Sequence, residues 1–434
     1  MHRTLAPLLL ALLAAAGTLA AEPRPLSLRD AVEAATRLSP QIQIAKLRAL
    51  ESRGQYGVVR SGYLPQINAR ISQSEQTGNL RGIGLAFPGF PSRIGPYHVF
   101  DARPSLQQTV FDLALVKQMS AARERIRQSE LDADSLRETV LLGVVDLYLR
   151  TLQAETRVEA TRARLATARA LHDQAEDFLE VGTGNRLDLV RARTQLENEN
   201  AALAQQERDA ATTMLLLLDT IGFPVDTEVR LTESLSLTGV DVPGLAEAEA
   251  RALDQRPEAL AMLSRLEAAR LEVSGAKAER LPTVAFAADY GVLGNYPSQS
   301  LSTYNVRGVV DVPVFQGGRI QAEVAQARAR LGQVEQERKD LENQIRLDVR
   351  AARIQLTAAE TSARAADRAG AAADESVELA QLRFEAGLTS NIDVVSAQQD
   401  QARADELEIQ TLYDFYLARA NLAKATGNIT AFLP

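Results

Sequence analysis

Leu64-Pro-Gln-Ile-Asn-Ala-Arg-Ile-Ser-Gln-Ser-Glu75 and Leu281-Pro-Thr-Val-Ala-Phe-Ala-Ala-Asp-Tyr-Gly-Val292 repeat one event: a Leu-Pro pair ends an Ala/Leu/Glu/Arg-rich stretch and an alternating run begins. In the first copy Ile67, Ala69 and Ile71 alternate with Asn68, Arg70 and Ser72; in the second Val284, Phe286, Ala288 and Tyr290 alternate with Thr283, Ala285, Ala287 and Asp289. Period two is the signature of a strand, because successive side chains leave its pleat on opposite faces. A Gly/Pro-rich loop follows each run (77–97, and the shorter 293–300), and then a second alternating stretch, 99–110 or 303–314. In the last of these Tyr304, Val306, Val310 and Val312 share one side, with Asn305, Arg307 and Asp311 on the other. Each copy therefore predicts one long β-hairpin, over 65–110 and 282–314.

Outward from the hairpins the duplication continues in register. Ser39-Pro40 matches Arg256-Pro257 at the offset of the Leu-Pro pairs; at shorter offsets that differ from each other by a single residue, Val110-Phe111 matches Val314-Phe315, and then Gly182 matches Gly387, Asp188 matches Asp393 and Gly222 matches Gly427. Ordered landmarks of this kind indicate a duplicated unit with an insertion in the first hairpin loop. Helix precedes each hairpin (28–61 and 245–280), with Pro40 and Pro257 suited to first helical turns. After the hairpins the pattern predicts long helices over 112–181 and 316–386, then return helices over 185–221 and 390–426. Val324, Ala327, Leu331, Val334, Leu341 and Ile345 form a coiled-coil seam on the second long helix. The domain reading is a first repeat over 22–222, a Pro/Gly/Thr-rich connector over 223–244, a second repeat over 245–427 and a tail over 428–434.

Composition narrows the function. The 434 residues are 46% hydrophobic and 24% charged, with a net charge of −8, which argues against nucleic acid as a partner because phosphate binding needs a clustered basic surface. Cysteine is absent, so disulfides, thiolate ligands, a nucleophilic Cys and a lipidated N-terminal Cys are all excluded. Residues 1–21 read as a secretory signal: His2 and Arg3, an apolar run from Leu5 to Ala16, and small residues at Thr18-Leu19-Ala20-Ala21. The run is too short to span a bilayer as a helix, so a mature protein that enters a membrane must do so as strands.

Other candidate sites yield to plain readings. Glu197 with Glu199 and Glu207 with Asp209 have no His within helical reach and read as a solvated face. His98, at a strand start, and His172, in the long helix, read as isolated structural residues. Gly82-Ile-Gly-Leu-Ala-Phe-Pro-Gly-Phe-Pro91 lacks the Lys and the following helix of a phosphate loop and reads as an external loop. No nucleophile, base and orienter set is present, so the expectation is a protein that is not an enzyme and uses no cofactor or metal.

The paired Leu-Pro hairpins, the duplication, the export signal and two turn segments, Phe178-Leu-Glu-Val-Gly-Thr-Gly-Asn-Arg-Leu-Asp188 and Arg383-Phe-Glu-Ala-Gly-Leu-Thr-Ser-Asn-Ile-Asp393, resemble the TolC family of bacterial outer-membrane efflux proteins over nearly all of the mature chain. The resemblance implies a mainly α fold with membrane β-strands: duplicated long-helix coiled-coil hairpins plus two β-hairpins per chain. A homotrimer would close a twelve-stranded β-barrel in outer-membrane lipid and an α-helical periplasmic tunnel. Elementary geometry agrees, since four strands enclose no lumen and lipid tolerates no open sheet edge. The implied function is a passive exit duct of a tripartite efflux or type I secretion system, joined through a periplasmic adaptor (membrane fusion) protein to an inner-membrane pump of RND or ABC type. It implies a pore or gate role for Asp393 and its counterpart Asp188, with Ser396 standing where some members carry a further Asp, and adaptor docking at Val181, Gly182, Thr183, Ala386, Gly387 and Leu388. Taken alone, the two Asp residues are also what a helix N-terminus attracts. The alternative is an exported coiled-coil scaffold or adhesin without a channel, for which the two hairpins have no use.

Overall fold

The computed structural model describes residues 24–84, 89, 91–237, 242–386, 388–389 and 391–432; the signal over 1–21 and Gly387 lie outside these. In chain order the first half comprises β1 (Arg24–Leu26), α1 (Leu28–Leu38), α2 (Pro40–Ser61), β2 (Gln66–Asn79), β3 (Arg93–Phe111), α3 (Leu113–Glu180) and α4 (Arg186–Ile221). The second comprises β4 (Val229–Leu231), α5 (Leu245–Gln255), α6 (Pro257–Ala278), β5 (Thr283–Gly294), β6 (Leu301–Asp311), α7 (Arg319–Glu385) and α8 (Asn391–Ala425), and a short 3-10 turn, Ile429–Phe432, follows.

Three features differ from the expectations. The first hairpin is longer: β2 reaches Asn79 and β3 starts at Arg93, because pairing resumes past an irregularity between Gln76 and Gly78 and needs no amphipathic pattern to continue. His98 accordingly lies within β3, not at its start. The second long helix begins at Arg319 instead of 316, because Gly317 and Gly318 hold φ +56° and +84°, outside the right-handed helical region. The connector contains β4, which pairs in parallel with β1 (Leu26 beside Leu231), a link between distant segments too short to show periodicity.

Contacts divide the chain into two compact units. One takes in Lys46–Ala133 and Pro257–Glu342 and holds a four-stranded antiparallel sheet in the order β2-β3-β5-β6. The register sets Ile67 beside Leu106, Leu106 beside Ala288 and Ala288 beside Val306, so the apolar residues of all four strands share one face. In this unit Leu266, Ala269 and Val334 form a buried cluster with Met262 and Leu331 against it, so α6 fills the seam of α7.

The other unit takes in the chain up to Ala45, Asp134–Arg256 and the chain from Asn343. Its core joins Leu26, Ile42, Leu141, Val144, Tyr148, Leu217, Leu218, Ile221 and Ile429. Ser27 opens α1 with a capping box: its hydroxyl accepts from the Asp30 N–H at 3.0 Å, and the Asp30 carboxylate accepts from the Ser27 N–H at 3.2 Å. The hydrogen bond to Ser27 holds the Asp30 carboxyl below its ordinary range. The Tyr148 hydroxyl, buried, donates to the Leu26 carbonyl and lies against Glu233, whose carboxylate accepts from the Leu28 N–H at 2.8 Å. This polar knot ties β1, α1, α3 and the connector together.

Candidate functional site

The sheet is the first candidate. One of its faces is apolar and exposed, with Ile67 74%, Ile71 77%, Tyr304 78% and Val306 61% exposed, values without a solvent rationale for a contiguous surface. The opposite face is polar. There Gln66, Gln107, Ala287 and Arg307 make one cross-strand row, and Asn68, Ser105, Asp289 and Asn305 the next. Arg103 Nε donates to Asp101 at 2.6 Å and its Nη1 to Asp289 at 2.8 Å, across β3 and β5. Gly291 makes room for this side chain, since a Cβ there would stand 2.3 Å from the Arg103 Cβ. One face suits hydrocarbon and the other water, which is the division a barrel wall requires. Among the described residues no helix is long and apolar enough to cross a membrane, so this sheet alone combines length and polarity for the task.

The helix turns are the second candidate, in the unit that holds Asp134–Arg256 and the chain from Asn343. After α3, Gly182 takes φ +79°, and the N–H groups of Thr183 and Gly184 both donate to the Phe178 carbonyl, at 3.0 and 2.7 Å. Asn185 caps α4 by accepting from the Leu187 N–H at 2.9 Å. The α7–α8 turn lies against this one: the rings of Phe178 and Phe384 are 6.2 Å apart, and Leu171, Ala175, Ala192 and Val394 form a buried cluster. Both turns therefore occupy one end of the four helices. Val181 and Leu388 project from it, 77% and 73% exposed.

The two aspartates lie in the first turns of α4 and α8. Asp188 faces Arg191 at 3.7 Å and is half-buried, while exposed Asp393 accepts from the Thr389 hydroxyl. Asp393 opens onto a polar groove of about 490 Å³ that also carries Glu375, Arg383, Ser396 and Asp400.

Sequence reasoning missed a set of charged contacts further along these helices. Glu199 is buried, not on a solvated face: it accepts from Gln195 at 2.9 Å and from Arg164 at 3.4 Å. Arg164 also reaches Asp405 at 3.5 Å. Burial pushes the Glu408 carboxyl above its ordinary value, and nearby Asp367, Asp405 and Asp374 add to the effect. Burial likewise raises Asp405. Tyr413 donates to Asp146 at 2.5 Å and is pushed up to about 12, by burial first and then by that hydrogen bond. These residues are far apart in the chain, and no local pattern joins them. His172 is not isolated either: its Nδ1 lies 3.2 Å from Asp173, and with Glu176 it groups three side chains whose ligand atoms lie within 4.8 Å of one another. His98 packs its ring 5.0 Å from that of Tyr296.

A sequence profile of outer membrane efflux proteins matches residues 31–222 and 250–428. The chain belongs to the outer membrane efflux protein family. The outer membrane efflux protein BepC of Brucella suis is 28% identical over 75% of this chain and 72% of its own length. The alkaline protease secretion protein AprF of Pseudomonas aeruginosa is 26% identical over 93% of this chain and 84% of its own. Among solved structures, the outer membrane channel CmeC of Campylobacter jejuni superposes with a TM-score of 0.81 at 18% identity, covering 92% of this chain and 85% of that one. As a family member the protein resides in the outer membrane and serves there as the exit channel of efflux or secretion. Its fold, long helices with a membrane sheet, is that of the solved channels.

Proposed function

We propose that three copies of this chain close a twelve-stranded barrel and a helical tunnel, and that the duct receives its cargo from an inner-membrane pump of RND or ABC type through a periplasmic adaptor. The observation that carries this reading is the sheet: four strands, one exposed apolar face, and two outer strands, β2 and β6, with one neighbour each. Unpaired backbone groups in hydrocarbon cost several kcal/mol each, roughly, so such a sheet enters lipid only when other copies pair with its edges. The duct is passive and performs no catalysis. Asp393, with Asp188 as its counterpart, lines the narrow end, and Val181, Gly182, Thr183, Ala386, Gly387 and Leu388 receive the adaptor. The names of BepC and AprF give efflux for one relative and alkaline protease secretion for the other, which supports a duct whose cargo is set by the pump.

Two measurements test this. Purified protein in detergent should have the mass of three chains, and the same sample in a planar bilayer should show discrete single-channel conductance. A monomeric mass, or trimers that never conduct, would leave a coiled-coil scaffold as the better reading.

A further inference from the structure

The last turns of α3 run against the field of their own helix. An α-helix gathers partial negative charge at its C-terminus and favours cationic side chains there. Over 170–180 α3 has no Lys or Arg and carries Asp173, Glu176, Asp177 and Glu180, whereas α7, its counterpart in the second repeat, has Arg383 in its last turn. Among the described residues the only basic side chain within 4.0 Å of these carboxylates is His172, whose Nδ1 lies 3.2 Å from Asp173 Oδ1.

His172 and Glu176 stand one turn apart, so the helix puts them on one face, and Asp173 joins them from the side. Among the described residues this is the one place where three side chains of metal-ligating type bring their ligand atoms within 4.8 Å of one another. His172 is half-buried next to Leu171, which packs with Ala175 into the buried cluster at the turns, so the imidazole is anchored while both carboxylates are exposed and have room to swing. Duplication does not account for the set. At the offset that matches Gly182 with Gly387, His172 corresponds to Val377, which is buried, and Glu176 to Gln381.

We propose that His172, Asp173 and Glu176 bind a divalent transition cation of the zinc class near the end of α3, with water completing its shell. One imidazole beside two carboxylates suits Zn²⁺, whereas Mg²⁺ and Ca²⁺ prefer oxygen ligands alone. With bonds of about 2.1 Å, the ligands of a tetrahedral zinc lie about 3.4 Å apart. The His172–Asp173 pair is already near that separation, and rotation of the exposed Glu176 side chain closes the rest. The ring keeps its proton on Nε2 and offers the Nδ1 lone pair to the metal. A bound cation also offsets the carboxylates that this helix end disfavours, and its chelate across one turn clamps the segment that leads into the Gly182 turn. All three ligands come from one helix of one chain, so the proposal is independent of the trimeric reading.

The test uses the full chain without a histidine tag, purified in detergent, stripped with a chelator and titrated with ZnCl₂ by calorimetry and equilibrium dialysis. One zinc per chain should bind, and His172→Ala and Glu176→Gln should each weaken it by more than about tenfold, a loss that outer-shell partners alone can cause. His98→Ala, which changes the ring packed on Tyr296, should bind as the wild type does. Co²⁺ in place of zinc should give visible absorption bands that His172→Ala abolishes. Amide exchange over 170–180 should slow when zinc is added to the wild type and stay unchanged in His172→Ala. No binding at millimolar zinc, or binding that His172→Ala leaves intact, would overturn the proposal. So would displacement of zinc by an equal concentration of Mg²⁺, which would reduce the cluster to an ordinary acidic surface.

Discussion

Gly182 and Gly184 sit two residues apart in one turn and are glycines for different reasons. At Gly182 nothing stands within 4 Å of an added Cβ, but φ is +79°, so Gly182→Ala meets only the left-handed backbone cost of roughly 1–2 kcal/mol. At Gly184 a Cβ would fall 2.8 Å from the Leu179 nitrogen and the Phe178 carbonyl carbon, so the turn must open to admit it. Gly184→Ala should therefore weaken adaptor crosslinking well below Gly182→Ala, with trimer yield alike in both; equal crosslinking would remove the docking role from this turn. Asp393 is exposed and accepts from the Thr389 hydroxyl, so Asp393→Asn should leave thermal stability unchanged while lowering cation preference in reversal-potential measurements. Unchanged selectivity would leave it a helix-terminal charge. Glu408 behaves differently. Burial and neighbouring aspartates raise its carboxyl, so the folded chain binds that proton more tightly than the unfolded chain does. Stability contributed here falls as pH rises from the ordinary 4.5 through the raised value, and returns on acidification. Amide exchange around Glu408, corrected for intrinsic rates, should be slower at about pH 5 than at pH 7, and Glu408→Gln should flatten that difference.

At the scale of elements, the sheet and the helices are stabilised by different solvents. β2 exposes Ile67 and Ile71 and β6 exposes Tyr304 and Val306, where water would penalise them and lipid does not. Ile71→Arg or Val306→Arg should cost about 2–4 kcal/mol if the side chain sits at the bilayer midplane, and less near an interface. Trimer yield in outer-membrane fractions reads this out; wild-type yield for both variants would reverse the facing of the sheet. The helices instead bury small residues in seams. α1 depends on its cap: Ser27→Ala removes the hydroxyl that accepts from Asp30 N–H, at an expected cost of about 1 kcal/mol in thermal unfolding.

At the scale of the whole molecule, duplication gives the helices beside the sheet two kinds of contact. One lies within a repeat, α2 on α3 and α6 on α7, and the other joins one repeat to the next, α3 on α6. The chain makes the second kind of contact once, between α3 and α6. The same count applies to the strands, whose order ends at β2 and β6.

Much of this was legible in the chain because the signals are periodic and local. Alternation at Ile67–Ile71 and Val284–Tyr290, the Leu-Pro pairs, and glycines at Gly182 and Gly222 each act through neighbouring residues, so strand, helix and turn could be read from spacing. Repetition then tied the two halves to one architecture. The extension of β2 to Asn79, the pairing of β1 with β4, the burial of Glu199 and the raised carboxyl of Glu408 were not legible, because each depends on a partner more than a dozen residues distant. Exposure, too, belongs to tertiary structure. Gly275 and Val58 occupy the same position in their repeats, and only the packing of α6 on α3 decides that the first is covered within the chain while the second stays exposed.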